Sequence, residues 1–185
     1  MSSPTTAPAR TLVTITGAQV ALPDPDHLIH LQFRRFAGCP VCSLHLRSIV
    51  ARHDEIRAAG IREVVVFHSR AEQLRTYTAD LPLDVIADPD RELYREFGVE
   101  SGARALLDPR GWATIGRAVA AELQAVRHKE RPAPPAKPEG GRLGLPADFL
   151  IRPDGTVSAA KYGTRVDDQW SVDELLAHAE HGRQR

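Results

Sequence analysis

The stretch Leu28–Gly60, LIHLQFRRFAGCPVCSLHLRSIVARHDEIRAAG, constrains this chain more than any other, because it holds both of its cysteines, Cys39 and Cys42. Leu28, Ile29, Leu31 and Phe33 form an apolar run too short for a helix and ended by Arg34 and Arg35, which predicts a buried strand. Cys42, Leu46, Ile49, Val50, His53 and Ile56 recur at helical spacing and predict one long helix stopped by Gly60. A short loop joins the two, and the cysteines fall in the first turn of the helix.

That placement is chemically loaded. A helix beginning at Pro40 puts proline where its missing N–H costs nothing and makes Cys39 the N-cap. The N–H groups of Val41 and Cys42 then point at the Cys39 sulfur and favour its thiolate. Cys42 lies three residues on, on the same face, so the two sulfurs can close a disulfide. Cys39 is the expected attacking thiol and Cys42, on the apolar stripe, the expected resolving thiol. Arg34 and Arg35 add positive charge just upstream. As a staple the pair would pin a spacing the helix already fixes. As a zinc half-site it lacks a second CxxC, and His45 is too close in sequence to complete the usual pattern. Two buried structural cysteines remain as the alternative.

With 185 residues the chain has the length of one domain with a real core and an insertion. Its formal net charge is zero, so neither a nucleic-acid nor a membrane partner is expected. MSSPTTAPAR has no apolar core of a signal peptide, and no stretch approaches membrane-spanning length. The expected compartment is the cytoplasm, where a CxxC is more often catalytic than structural.

Residues 1–10 are expected to be disordered and 11–185 to form one domain. Thr11–Val20 supplies a small strand or hairpin. Ile61–His68 is a second buried strand, which gives a right-handed parallel βαβ unit with the first. Ser69-Arg70-Ala71-Glu72 reads as a capping box for a helix to about Ala79. Asp84–Ala87 is a short strand, and Asp88-Pro89 caps a helix that ends at Gly98. Residues 99–107 carry no assignable pattern, and Asp108-Pro109 caps a helix with Trp112, Ile115, Val119, Leu123 and Val126 on one face. Arg131–Leu145 is a Pro/Gly-rich loop, expected to be mobile. Ala147–Arg152 and Thr156–Tyr162 flank the hairpin turn Asp154-Gly155, and Ser171-Val172-Asp173-Glu174 caps a last helix, with Trp170 stapled to Leu175. Removing 84–145 leaves β-α-β-α-β-β-α. The expected class is α/β, a thioredoxin-like fold with a strand–helix insertion at about 84–145 plus an additional helix and loop before the C-terminal hairpin and helix. A Rossmann reading fails because no glycine-rich loop follows the first strand.

FRRFAGCPVC, DVIADPDRELYREFGV and LPADFLIRPDGTV with the following YG and WSVDELL resemble the peroxiredoxin-like branch of the alkyl hydroperoxide reductase/thiol-specific antioxidant family. The resemblance covers roughly 28–100 and 144–180. It implies a redox cysteine at Cys39, no metal or organic cofactor, a peroxide or disulfide substrate, and an external dithiol or low-molecular-weight thiol as reductant. Two positions depart from the family pattern. Phe36 stands where peroxiredoxins carry Thr or Ser, and Pro146 stands where they carry an arginine. Both missing groups would steady a breaking O–O bond, so the departures favour disulfide exchange over fast peroxide reduction. Pro146 there resembles the cis-proline opposite the CxxC of thioredoxins, and Arg35 is the candidate to replace the missing arginine. The expected site is therefore Cys39 and Cys42 with Pro146, Arg35 and Phe36 at the substrate.

Other residues are expected to be structural: His45 on the helix surface or half-buried, His53 at the core edge, and the Trp112–Val126 stripe as core or as an oligomer contact compatible with a homodimer. Two functions compete: a thiol-disulfide oxidoreductase or peroxiredoxin-like enzyme using the CxxC, and a thioredoxin-fold binding module with non-catalytic cysteines and 101–145 as its contact surface.

Overall fold

Apolar residues alternate along the central strands and send two sets of side chains to opposite faces of one sheet, which sets the architecture. The computed structural model describes residues 5–99, 112–128, 132–135, 138, 141 and 144–183. Strands β1 (Arg10–Val13) and β2 (Gln19–Leu22) form an antiparallel hairpin. Strand β3 (Leu28–Arg34) leads into helix α1 (Pro40–Ala51) and the short α2 (His53–Ala58), and β4 (Ile61–Phe67) returns parallel to β3. Helix α3 (Ala71–Thr78), strand β5 (Asp84–Ala87), α4 (Glu92–Glu96) and α5 (Trp112–Arg127) follow. Strands β6 (Ala147–Ile151) and β7 (Val157–Tyr162) and helix α6 (Val172–Arg183) complete the chain. The main sheet has the order β5-β4-β3-β6-β7, with β6 antiparallel to β3. The thioredoxin-like arrangement expected of the β-α-β and β-β-α parts is the one observed, with β5 added at the edge.

Ile29, Leu31, Phe33, Val64, Val66 and Phe149 bury one face against the β1–β2 hairpin and α4. On the other face, Ile49, Ile56, Leu150, Trp170 and Leu175 join α1, α2 and α6. Val65, Phe67 and Leu74 pack beneath α1 and α3 next to the cysteines. Ser171 and Glu174 form the expected reciprocal cap, with Ser171 N–H donating to Glu174 Oε2 at 2.7 Å and Glu174 N–H to Ser171 Oγ at 3.2 Å.

Several expectations are corrected. The helix after the CxxC is two segments, because Arg52 leaves helical geometry at φ −120° between α1 and α2. The predicted capping box at Ser69 does not form: Arg70 is the N-cap of α3, and the Ser69 hydroxyl accepts the Ala37 N–H at 2.9 Å instead. On α5 the face turned to the protein is Ala118, Glu122 and Ala125, while Val119 and Leu123 are 41% and 65% exposed. Thr5 to Ala7 are not free: the Thr5 carbonyl accepts from Val157 N–H at 3.0 Å and Ala7 N–H donates to Gly155 O at 2.8 Å. Residues 1–4, the segment 99–107 beyond Val99, the Asp108-Pro109 cap and, within the 131–145 loop, residues 131, 136, 137, 139, 140, 142 and 143 lie outside the described residues.

Candidate active site

The end of β3 delivers two arginines, and strand alternation sends them opposite ways. Arg35 turns to the cysteines, where its Nη2 lies 3.0 Å from Cys39 Sγ. Cys39 is the N-cap of α1, with Pro40 in the first helical position, and its sulfur accepts the Cys42 N–H at 3.4 Å. The two sulfurs are 2.8 Å apart with the Cys42 thiol donating. Both residues are free thiols, 2% and 3% exposed. Phe36, buried beside them, sets its ring 5.7 Å from the Arg35 guanidinium carbon, a cation–π contact that holds the arginine from the side.

Burial opposes ionisation of either thiol. The thiol–thiol bond and the Arg35 charge overcome it for one proton: the Cys42 side of the pair is pulled down to about 6, and the Cys39 side is pushed well above the ordinary cysteine range by burial and its neighbour. Hydrogen-bond donors reach both sulfurs, and Arg35 bonds Cys42 from its backbone N–H as well as bearing on it with its charge. Three donors, from Arg35, the Cys42 amide and the Cys42 thiol, converge on Cys39 Sγ. The pair thus ionises as a unit, with one easy proton and one difficult one.

Arg34 points the other way, into a polar network below α1 that the sequence reading did not find. Its Nη2 donates to Asp148 Oδ1 at 2.7 Å and lies 3.0 Å from His45 Nε2. His30 bridges the acids, with Nδ1 2.9 Å from Glu63 and Nε2 3.3 Å from Asp148. Gln32 donates to Glu63 and accepts from Arg34, and Asp148 Oδ2 accepts the Trp170 N–H at 3.0 Å. Burial disfavours a charged His30, but Glu63 and Asp148 outweigh it and hold the imidazole at about 9. Against the same burial, Arg34 and His30 keep Asp148 well below the usual carboxylate range. Burial and the Arg34 charge hold His45 well below its ordinary value. Two positive and two negative groups therefore share the sheet interior, and a lone buried charge would cost several kcal/mol. His30, Gln32 and Arg34 occupy alternate positions of LIHLQFR, and that period-2 pattern is the signal that could have revealed them.

His68, at the end of β4, was also missed. It is 2% exposed, donates its backbone N–H to Arg35 O at 3.2 Å, and neither ring nitrogen has a hydrogen-bond partner among the described residues. Burial and the charges of Arg91 and Arg35 push it down to about 4, so it is neutral beside the site.

Pro146 lies one residue before β6, at the end of β3, where its carbonyl accepts the Gly163 N–H at 2.8 Å. It is buried, but the expected cis bond is not there: the cis peptide among the described residues is Leu22–Pro23. The preceding Gly144 passes over Arg35 and His68; a Cβ on it would sit 3.4 Å from Arg35 Cγ and 3.5 Å from His68 Nε2. His45 is half-buried and His53 half-buried, as expected, though His45 is engaged by Arg34.

The pair opens onto a cavity of about 450 Å³ between α1, α3 and α5, whose wall includes both cysteines, Arg47, Arg75, Tyr77 and Glu122. Tyr77 OH donates to Ala133 O at 2.9 Å, which ties α3 to the start of the Pro/Gly-rich loop. Among the described residues no group of His, Cys, Asp and Glu is placed to hold a metal ion.

A family model described as AhpC/TSA antioxidant enzyme matches residues 48–165. The match starts after the two cysteines and runs through 101–143, which the resemblance read from the sequence had left out. A search of curated proteins finds no match. Among solved structures, peroxidoxin BcpB from Mycobacterium tuberculosis is 15% identical at a TM-score of 0.67, over 98% of this chain and 97% of that one. A putative thiol:disulfide interchange protein DsbE from Chlorobium tepidum is 20% identical at 0.60, over 97% and 99%. Xanthomonas campestris peroxiredoxin Q is 17% identical at 0.62, over 93% and 90%. At such identities these three likenesses speak to the fold.

Proposed function

The chain belongs to the AhpC/TSA antioxidant enzyme family, whose model matches more than half of it, and from that premise we propose that Cys39 and Cys42 are a redox pair that reduces a small peroxide. The observation that carries this reading is the Arg35 guanidinium 3.0 Å from Cys39 Sγ, with the second thiol 2.8 Å away on the other side. The Cys39 thiolate attacks one peroxide oxygen; the O–O bond breaks, an S–O bond forms, and the leaving alkoxide or hydroxide takes a proton from water. Cys42 then attacks the Cys39 sulfenic acid, and the oxygen leaves as water as the disulfide closes. A bond of roughly 2.05 Å needs little movement from the present contact. Two electrons from an external thiol restore the pair.

Arg35 supplies the positive charge that the arginine absent at Pro146 would have given, while Phe36 offers no hydroxyl. Thiol-disulfide exchange uses the same pair and is the second reading, supported by the CxxC at the tip of a helix. The enclosure of both sulfurs weighs against a protein disulfide reaching them. Stopped-flow oxidation of the reduced protein by hydrogen peroxide, followed in the wild type and in Cys39→Ser, tests the choice. Rapid loss of both thiols in the wild type and none in Cys39→Ser is expected; efficient reduction of a protein disulfide with slow peroxide oxidation would reverse the ranking.

A further inference from the structure

The cavity beside the cysteines is far larger than a peroxide requires. Its volume of about 450 Å³ falls within the roughly 300–1,000 Å³ range of clefts that enclose small organic ligands. It is also covered. Helix α5 lies over α1 with Ala118 and Glu122 inward, and Gly38 is pressed against Pro135 and Tyr77, where a Cβ would come within 3.0 Å of either. A disulfide or thiol carried on a folded protein would have to displace this roof to reach sulfurs that are 2% and 3% exposed. A small thiol would not.

The wall carries both signs of charge. Arg47 and Arg75 stand with Asp80 and Glu122 around the two cysteines. Arg47 Nε is a buried donor with no partner among the described residues. Arg75 is oriented by donating Nε to Ile15 O at 2.8 Å. Glu122 is 5% exposed, and its charge helps burial to raise the Tyr77 phenol. An arginine donor suits a carboxylate, and a buried carboxylate suits an ammonium. We propose that this cavity binds a low-molecular-weight thiol of amino-acid type, bearing both an ammonium and a carboxylate, and that this thiol is the electron donor to the oxidised Cys39–Cys42 pair. The inference rests on the redox reading above and names the partner of that site.

The electron count closes without another reagent. One thiolate attacks a sulfur of the Cys39–Cys42 disulfide, forming a mixed disulfide and releasing the other cysteine. A second thiolate attacks the outer sulfur of the mixed disulfide. Two thiols become one small disulfide, and their two electrons and two protons leave the enzyme as a dithiol.

The test starts from protein oxidised with one equivalent of peroxide. Its re-reduction is timed by quenching and alkylation with cysteine, with the neutral thiol 2-mercaptoethanol, and with reduced thioredoxin, all normalised to thiolate concentration. The expected result is saturable re-reduction by cysteine, at least tenfold faster than by 2-mercaptoethanol or thioredoxin. That preference should fall severalfold in Arg47→Gln and in Glu122→Gln. Equal rates for the two small thiols, a faster reaction with thioredoxin, or a preference unchanged in both variants would overturn the proposal. Failure of peroxide to form the disulfide at all would overturn the redox reading instead, and the first step of the experiment separates the two.

Discussion

A cationic side chain touching a buried sulfur has one main electrostatic consequence: it lowers the cost of the thiolate, here against the opposing cost of burial. Arg35 is that side chain, at 3.0 Å from Cys39 Sγ. Arg35→Met keeps the stem's packing and removes the charge, so the first ionisation of the pair should move up from about 6, by roughly one to three pH units. The rate of iodoacetamide alkylation against pH measures this directly; the wild-type rate should climb as pH passes about 6, and the variant's only later. An unchanged profile would remove Arg35 from the chemistry. The N-cap role of Cys39 was readable in advance, because proline in the first turn admits few other arrangements. The opposite facing of Arg34 and Arg35 follows from strand alternation, but reading both as charge near Cys39 overlooked that the strand continues through Arg34. The bond before Pro146 depends on loop packing that no local pattern reports.

Strand β3 shows how much of an element's role lies in its second face. Ile29, Leu31 and Phe33 announced a buried strand; His30, Gln32 and Arg34 are equally buried and form the ion network. The network makes stability depend on pH in a definite direction. His30 is raised from 6.5 to about 9, so its contribution is complete below pH 6.5 and disappears as pH rises through about 9. The shift corresponds to roughly 3 kcal/mol. Asp148 is lowered, so its contribution is present above the ordinary carboxylate pKa and is lost only as pH falls below it. Urea denaturation should therefore show a lower midpoint at pH 10 than at pH 6, and Asp148→Asn should cost roughly 3–5 kcal/mol by stranding Arg34 and His30. A midpoint indifferent to both changes would mean that the network is not charged. The two serine capping motifs make the complementary point: Ser171 caps α6 as written, whereas Ser69 is taken by the Ala37 amide, a competitor from across the fold. On α5 the predicted stripe divides: Ile115 packs on the core beside Ala118, whereas Val119 and Leu123 face out, and the alanines and Glu122 that face α1 carry no apolar pattern to announce them.

For the molecule as a whole, the fold places a cysteine pair at the end of a mixed sheet, and α5 and Pro135 close over it. Gly38 marks how tight that closure is. Its φ of +75° and the 3.0 Å approach to Pro135 and Tyr77 mean that Gly38→Ala should cost roughly 1–2 kcal/mol and loosen the roof. A bulky maleimide should then label the cysteines faster than in the wild type; equal labelling would show that the roof does not limit access. The central claim, that Cys39 attacks and Cys42 resolves, is most directly tested by mass spectrometry after one equivalent of peroxide. The wild type should lose two hydrogens and both free thiols, while Cys42→Ser should gain a single oxygen on Cys39 and Cys39→Ser should remain unchanged. Oxygen appearing on Cys42 in Cys39→Ser at the wild-type rate, or no oxidation of either cysteine in the wild type, would contradict the account.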